Sequence, residues 1–439
     1  MESIQKRIKS FIQNKEQLWI QHRRSFHTFP EMGWLEYETT VKIIEFLQEN
    51  GIDVEFGRGI HTPNLRMGLP PQEEMKKHFA EVVTKFPDKE EILDKIKEGF
   101  TGVVATIQGE KTGTIRAIRC DIDALPILEM QEERHFPASQ GFSSRNYGVM
   151  HACGHDVHAA IGLGIAQTLQ SFQKELSGTV KIIFQPAEEG VRGAVSMVES
   201  GIVDNVQELY TYHVGVKAKK LGEIIGGWNK LLHTTKINLK YIGRRAHAAA
   251  APEEGIDALD CACETKLKCK ELNEKYRSQA RVNIGKIVGG EARNIIAPNA
   301  TLDMEIRAVD NQAHDQLKRE LEELIDSIAQ KYNASFHTDI VGASPLGNSD
   351  PELANKIIEA AKLIPLFQKR IEIGESFGAS DDAATWMNKV QSNGGKATYF
   401  GIGTPICGGH HTEDFDIDEQ IIPATVELLA MILLNDRFC

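Results

Sequence analysis

The sequence predicts an α/β protein: a discontinuous domain on a mostly parallel central sheet, with a ferredoxin-like α+β domain inserted in it. Three observations carry that prediction. Short apolar runs alternate with stretches of helical period through the first half of the chain. Elements in the order β-α-β-β-α-β follow one another between about residues 234 and 341. At 439 residues, the chain is longer than one core ordinarily fills.

The elements follow in order. MESIQKRIKSFIQNKEQLW reads as an amphipathic helix with lysines throughout. It lacks the apolar core of a signal peptide, so the cytoplasm is the expected compartment. A helix follows at Tyr37–Asn50, then strand-like runs at Thr101–Ile107, Thr114–Cys120, Thr179–Phe184 and Glu208–His213. Helical spacing fills His158–Phe172 and Ala194–Ser200 between them. The charged segment 61–100, which contains RMGLPP, interrupts this pattern and reads as a surface insertion. The ferredoxin-like order then runs through strand Thr234–Ile242, helix Gly255–Tyr276, strands Val282–Val288 and Ala300–Ala308, helix Gln312–Tyr332 and strand Ser335–Val341. The α/β pattern resumes with helices Pro351–Leu363 and Asp381–Asn388, strand Ala397–Gly401 and helix Asp418–Leu434. The expected domains are therefore 1–230 (with the insertion 61–100), 231–344, and 345–439, which completes the first.

Composition removes several classes of function. An apolar share of 41% and a charged share of 26% are those of a soluble globular chain. A net charge of -12 repels phosphate backbones, so nucleic acid is not an expected partner. No apolar run approaches the roughly 20 residues of a membrane span, so no membrane association is expected. Seven cysteines, an odd number without a secretory signal, argue against a disulfide framework.

The chemistry concentrates at 150–158, MHACGHDVH. A structural zinc knuckle would bring a second pair of Cys/His ligands at short spacing, and a redox cysteine would sit in C-x-x-C; the segment has neither. Four polar clusters fall at or soon after the ends of predicted strands: Asp121-Ile-Asp123, Gln185-Pro-Ala-Glu188-Glu189, His213, and Gly408-Gly409-His410-His411. In an open parallel sheet ligands gather beyond the carboxyl ends of the strands, so these clusters should converge with the loop holding Cys153 and His155. Singly, each has an ordinary explanation: a strand-end histidine in a loop hydrogen bond, or a solvated acidic turn. Together they make a mixed N/S/O donor set suited to Zn, Mn or a related divalent ion. A metal lowers the pKa of water toward roughly 7, and of two adjacent glutamates one can bind metal while the other takes the proton.

RRSFHTFPEMGWLEYET, RCDIDALPI, MHACGHDVHAAIGLG, FQPAEEGVRGA, YHVG, RAHAAAAPEEGIDAL and GHHTEDFDIDEQ resemble, in order and spacing, the aminoacylase/carboxypeptidase-type metal amidohydrolases. The likeness covers nearly the whole chain and lies with the cysteine-containing branch, which includes auxin-conjugate and hippurate hydrolases. It implies a zinc-peptidase-like catalytic domain with an inserted dimerisation (lid) domain. It also implies two divalent ions, Mn or Zn, with Cys153 bridging them, His155 and His213 on one, and Glu189 and His411 on the other. His410 is the second candidate for the last position. Glu188 resembles the general base and Asp123 the buried carboxylate that orients the site, while Asp121 stands where other branches have a metal-binding histidine. In the inserted domain, His247 resembles the oxyanion donor that relatives extend into a partner subunit's site. Asn294 and Arg307 resemble residues that hold the substrate carboxylate, a task that suits a guanidinium fork. The implied substrate is an N-acyl amino acid, p-aminobenzoyl-glutamate foremost, with indoleacetyl- or benzoyl-amino acids or a dipeptide as alternatives. The implied assembly is a homodimer through the inserted domain, with a related second chain as a further candidate partner. A non-catalytic subunit of the same fold is the competing class.

Overall fold

Residues 3–434 are described by the computed structural model; Cys439, counted among the cysteines above, lies outside them. The chain forms two units. One holds the chain up to Asn229 together with Gly347–Phe377 and the stretch from Asp382 onward; the other holds Lys230–Leu346 and Gly378–Asp381.

In chain order the strands are β1 (Asp53–Phe56), β2 (Val103–Gln108), β3 (Lys111–Asp121), β4 (Ser177–Gln185), β5 (Glu208–Val214), β6 (Glu223–Trp228), β7 (His233–Ile242), β8 (Ala280–Gly289), β9 (Asn299–Ala308), β10 (Ser335–Ser344), β11 (Lys369–Gly374) and β12 (Lys396–Ile402). The first unit carries an eight-stranded sheet in the order β1-β2-β4-β3-β5-β12-β6-β11. Its centre, β4-β3-β5-β12, is parallel throughout. Such strands are covered on both faces, and β5 and β12 accordingly read as nearly unbroken buried runs, LYTYHV and ATYFGI. Antiparallel pairs flank the centre, β1 with β2, β2 with β4, and β6 with β12, while β11 pairs parallel with β6. The sheet is thus mixed, with the parallel pairs in its middle.

Helices Ile4–Thr28, Tyr37–Glu49, His155–Ser171, Pro351–Ala361 and Ile421–Leu434 share one core with the sheet, joined by Trp19, Phe26, Leu163, Phe184 and Leu429. The helix His155–Ser171 comes close because of Gly162: a Cβ there would lie 2.6 Å from the Phe184 ring and 2.9 Å from Cys120 Sγ. This approach sets the helix N-terminus beside the ends of the central strands. The insertion is more than surface chain. Its helices Gln72–Lys85 and Glu90–Ile96 bury Met75, Val82, Leu93 and Ile96 against Leu35, Tyr37 and Val41.

The second unit is an antiparallel sheet, β10-β7-β9-β8, with helices Ala258–Tyr276 and Asn311–Tyr332 packed on it. β7 and β9 alternate buried and exposed residues, as one-sided burial requires. Among the described residues no helix is long and apolar enough to cross a membrane.

Candidate active site

Parallel pairing brings the ends of β3, β4 and β5 side by side, with Asp121 opposite Gln185. Just beyond them lie Asp123, Glu188 and Glu189, and His213 is the penultimate residue of β5. The sequence places the Cys153/His155 loop ahead of a helix starting near His158; the helix instead begins at His155 itself. Gly154 makes this possible. It turns the chain at φ 89°, and a Cβ there would lie 2.5 Å from Val214 Cγ2, so conformation and space both exclude a side chain.

Hydrogen bonds separate the three histidines of this segment. His158 directs Nδ1 to Asp121 Oδ1 at 2.5 Å, and its Nε2 accepts from the Val214 backbone N–H at 3.1 Å. Both nitrogens are used, so His158 is structural. His155 directs Nδ1 to the Asp123 carbonyl at 2.9 Å and its Oδ1 at 3.2 Å, which leaves the buried Nε2 with no hydrogen-bond partner. His213 likewise donates Nδ1–H to Val214 O at 2.8 Å and turns Nε2 toward Cys153 Sγ, 3.5 Å away. An imidazole whose second nitrogen is held by a carbonyl or carboxylate is poised as a metal ligand. His151 is buried with neither nitrogen bonded, and burial pulls it down to about 4.

Two donor groups share the thiol. Cys153, His155 and His213 form one; Cys153, Glu189 and His411 form the other; and within each the ligand atoms lie within 4.8 Å of one another. Glu188 joins His155 and Glu189 in a third such group. Glu189 Oε1 is buried and makes no hydrogen bond, although His411 Nε2 is 3.3 Å away. His410 also approaches, with Nδ1 3.6 Å from Cys153 Sγ and a buried, unbonded Nε2. Burial, with the charges of Glu189 and Glu188, pushes the Cys153 thiol well above its ordinary range. Burial, with His158 and His410 nearby, holds His213 far down and neutral. Unbonded imidazole nitrogens, a thiol and two carboxylates are packed together here. The donor set therefore fits divalent metal, which would deprotonate the thiol on binding.

A buried frame holds these groups. Asp121 works against its own burial, but His155, His158 and Arg119 together keep its carboxyl well below the ordinary range. Arg119, fully buried, spans Asp121 at 2.6 Å and Asp382 at 2.7 Å and donates Nε–H to Gln185 Oε1 at 2.9 Å. Asp123 Oδ2 accepts the Glu189 backbone N–H at 2.9 Å, so one carboxylate orients both a histidine and the glutamate loop. That loop is strained: Ala187 and Val191 have φ of 53° and 56°. Glu36 pins it by accepting Ala187 N–H at 2.8 Å and Thr101 Oγ1–H at 2.7 Å. Burial, then the Asp123 charge, raises Glu36 to about 8. From outside, Arg192 donates Nε–H to Glu189 O at 2.8 Å and Nη1–H to Gly68 O at 3.1 Å, tying the metal loop to the insertion.

His27, Glu129 and His135 form another cluster of metal-ligand types, but their hydrogen bonds are already made. His27 directs Nδ1 to Asp156 and Nε2 to Glu129, each at 2.9 Å, and His135 shares the same Glu129 oxygen at 2.8 Å. Sequence reasoning missed this network and the Arg119–Asp382 pair. The only signal was an arginine or histidine at a position of otherwise apolar period.

In the second unit, His247 is exposed and its Nδ1 accepts from Ala249 N–H at 3.2 Å and Ala250 N–H at 3.1 Å. The proton is thereby assigned to Nε2, which remains a donor. Asn294 is adjacent, its carbonyl accepting Ala248 N–H at 3.1 Å. Arg307 lies elsewhere and pairs with Glu305 at 3.0 Å. In the register of β7 with β9, Ile242 faces Asn299 and Thr234 faces Arg307, so eight residues of strand, roughly 26 Å, separate Arg307 from the end of the sheet that carries His247 and Asn294. Within a single chain, therefore, Asn294 and Arg307 stand at opposite ends of the sheet.

The fold and donor set define a class of protein, and the comparisons name it. Residues 117–435 match the model of peptidase family M20/M25/M40, and the chain belongs to that family. It is a metal-dependent amidohydrolase. Among curated proteins it is similar to a p-aminobenzoyl-glutamate hydrolase subunit of Escherichia coli (strain K12), 36% identical over 94% of each chain. It is also similar to indole-3-acetyl-aspartic acid hydrolase of Enterobacter agglomerans, 35% identical over 94% of this chain and 95% of that one. Among solved structures it resembles an aminobenzoyl-glutamate utilization protein from Klebsiella pneumoniae, with TM-score 0.82 and 30% identity over 98% of each chain. A dinuclear metal-binding M20 peptidase of Bacillus subtilis matches with TM-score 0.66 and 25% identity over 96% of this chain and 99% of that one.

Proposed function

We propose that the protein hydrolyses the amide bond joining an aromatic acyl group to an acidic amino acid, p-aminobenzoyl-glutamate foremost. The observation that carries this reading is the thiol of Cys153, shared between two ligand groups with Glu188 beside them. The names of the two relatives supply the substrate class, since each pairs an aromatic acyl group with glutamate or aspartate. In this reading Cys153, His155 and His213 hold one divalent ion, and Cys153, Glu189 and His411 hold a second, with Mn or Zn as the metal. When bound, such ions supply Lewis acidity, polarising the scissile carbonyl and acidifying water. Glu188 takes the proton of the attacking water and returns it to the leaving amine nitrogen. Asp123 keeps the His155 ring and the Glu189 backbone in register with it.

The assembly is a homodimer whose sites draw on both copies. A substrate of this size cannot span the roughly 26 Å between Arg307 and the His247 end of the sheet. One chain therefore supplies Arg307 to the substrate carboxylate, while a second copy supplies the Nε2–H of His247 to the developing oxyanion, with Asn294 beside it. The word "subunit" in the name of the Escherichia coli relative favours a second reading, in which a related chain is also required. Activity of the isolated, metal-loaded chain on p-aminobenzoyl-glutamate separates the two. The test of the chemistry is Glu188→Gln, with metal content retained and turnover lower by at least ~100-fold. Turnover within a few-fold of wild type would remove Glu188 from the mechanism.

A further inference from the structure

The insertion and the helix Tyr37–Glu49 enclose a cavity of about 500 Å³, lined by none of the metal-site residues. That size is typical of small-molecule sites. Leu69, Met75 and Phe79 give it apolar walls, Tyr37, Arg66 and Lys76 give it donors, and Lys97 and Glu98 stand together at its edge as a cation and an acid.

Two of those side chains keep one donor hydrogen without an acceptor among the described residues. Arg66 is half-buried; it donates Nη1–H to Glu98 O at 2.6 Å and lies flat on Phe100, 3.6 Å from the ring centroid. Its Nε is buried and unbonded, and although the Glu98 charge acts on the guanidinium, no carboxylate oxygen reaches salt-bridge distance of it among the described residues. Burial pulls this guanidinium below its ordinary value, and the nearby Glu98 charge offsets only part of that effect. Tyr37 is fully buried, and its hydroxyl oxygen accepts Gly99 N–H at 3.0 Å. The hydroxyl hydrogen has no acceptor among the described residues. A buried hydroxyl and a buried guanidinium N–H left unmatched are costly unless a ligand completes them. Lys76 adds a cation that makes no ion pair among the described residues.

The geometry points to a second binding site, for a carboxylate carried on a small, flat, apolar body: an aryl carboxylate. The anion sits between Arg66 and Tyr37, and its ring lies against Met75 and Phe79. The charge selects the carboxylate, because a neutral amide of the same shape makes no ion pair with Arg66. The site also has a route to the metal loop. Gly68, two residues from Arg66, accepts from Arg192, which holds the Glu189 carbonyl. The cavity stands apart from the proposed reaction site, although one product of that reaction is itself an aryl carboxylate.

Calorimetric titration of the metal-loaded protein with benzoate tests it. One equivalent per chain should bind in a manner that Arg66→Gln weakens by ~10-fold or more, the loss expected for a charged hydrogen bond. Tyr37→Phe should weaken it less. Leu69→Trp, which fills the cavity from its exposed rim and touches no cation, should abolish that equivalent while leaving metal content intact. Benzamide should bind at least ~10-fold more weakly than benzoate. Thermal melts establish that each variant is folded, and Arg66→Gln, a substitution on a loop, decides the matter alone if Leu69→Trp does not fold. Benzoate binding of equal stoichiometry and affinity in wild type and Arg66→Gln would place the anion at the metal centre and overturn the inference. So would the absence of saturable binding to the wild type.

Discussion

Arg192 joins the Glu188–Glu189 loop to the insertion, and replacing it with alanine should perturb the proposed metal centre without touching any of its donor atoms. The loop it holds contains two residues at positive φ, Ala187 and Val191, each costing on the order of 1 kcal/mol or more. Arg192 offsets that strain with two charged hydrogen bonds, to Glu189 O at 2.8 Å and Gly68 O at 3.1 Å. Bonds of this kind contribute ~1.5–3 kcal/mol each when buried, and Arg192 is only partly so; a combined loss of about 2–3 kcal/mol is expected. If most of that falls on the position of Glu189, metal affinity should drop by ~10- to 100-fold, the usual range for groups that orient a ligand. Equilibration against graded chelator, followed by metal analysis, reads this directly. At saturating metal, turnover should largely recover and KM should change little, which a general loss of folding would not produce. Arg192→Lys can reach one carbonyl but not both and should fall between. Gly33→Ala supplies an independent check, because a Cβ at Gly33 would lie 2.3 Å from Arg192 Nη2 and 3.0 Å from the Ala187 backbone. It should reproduce the weakened metal binding with every donor intact. Wild-type metal affinity in Arg192→Ala, with an unchanged melting temperature, would refute the coupling.

Three further outcomes follow from the same geometry. Cys153→Ala should lose at least one metal per chain and nearly all activity, and thiol reagents should attack wild-type protein faster after metal removal; equal labelling rates and unchanged metal content would return Cys153 to an ordinary buried thiol. Burial alone would lower His27, but hydrogen bonds to Asp156 and Glu129 overcome it and hold the imidazole at about 9. The stability this contributes is complete below its unfolded value near 6.5 and is lost as pH rises through 9, on the order of 3 kcal/mol in all; His27→Gln should flatten the decline in Tm over that window, and an unaltered decline counts against it. Mixing inactive Glu188→Gln and His247→Ala chains under subunit exchange should restore about one quarter of wild-type activity, since half of the dimers are mixed and each has one intact site of two; no recovery after demonstrated exchange would confine His247 to its own chain.

Much of the parallel core could be read from the sequence because β5 and β12 are nearly unbroken buried runs, and β3 and β4 end in buried stretches interrupted only by Arg116, Arg119 and Lys181. β1, β6 and β11 could not. β1 has four residues, β6 is interrupted by Gly226-Gly227, and β11 alternates charge with isoleucine at the sheet edge. The clustering of polar residues at strand ends was legible for the same reason as the strands: the chain leaves a buried parallel strand where its hydrogen-bond partners end. Arg119 and Asp382 were not. Each is costly to bury by itself, and only the fold, which sets them 2.7 Å apart across more than half of the chain, makes both tolerable.

The histidines show where spacing stops being informative. MHACGHDVH presents three imidazoles of similar standing, and no rule of spacing separates them. What separates them is what lies opposite each ring: Val214 N–H consumes the second nitrogen of His158, whereas Asp123 takes only Nδ1 of His155. Both partners come from the ends of other strands, so the distinction exists only once β3 and β5 are paired. His247 and Arg307 teach the opposite lesson. Their separation follows from register alone, since a ten-residue strand pair holds its two ends apart whatever the side chains do. In the proposed site both residues serve one small substrate, and residues at opposite ends of one sheet can do so only from two copies of it. The second copy enters the proposed site through that geometry, once the resemblance has assigned His247 and Arg307 to one substrate.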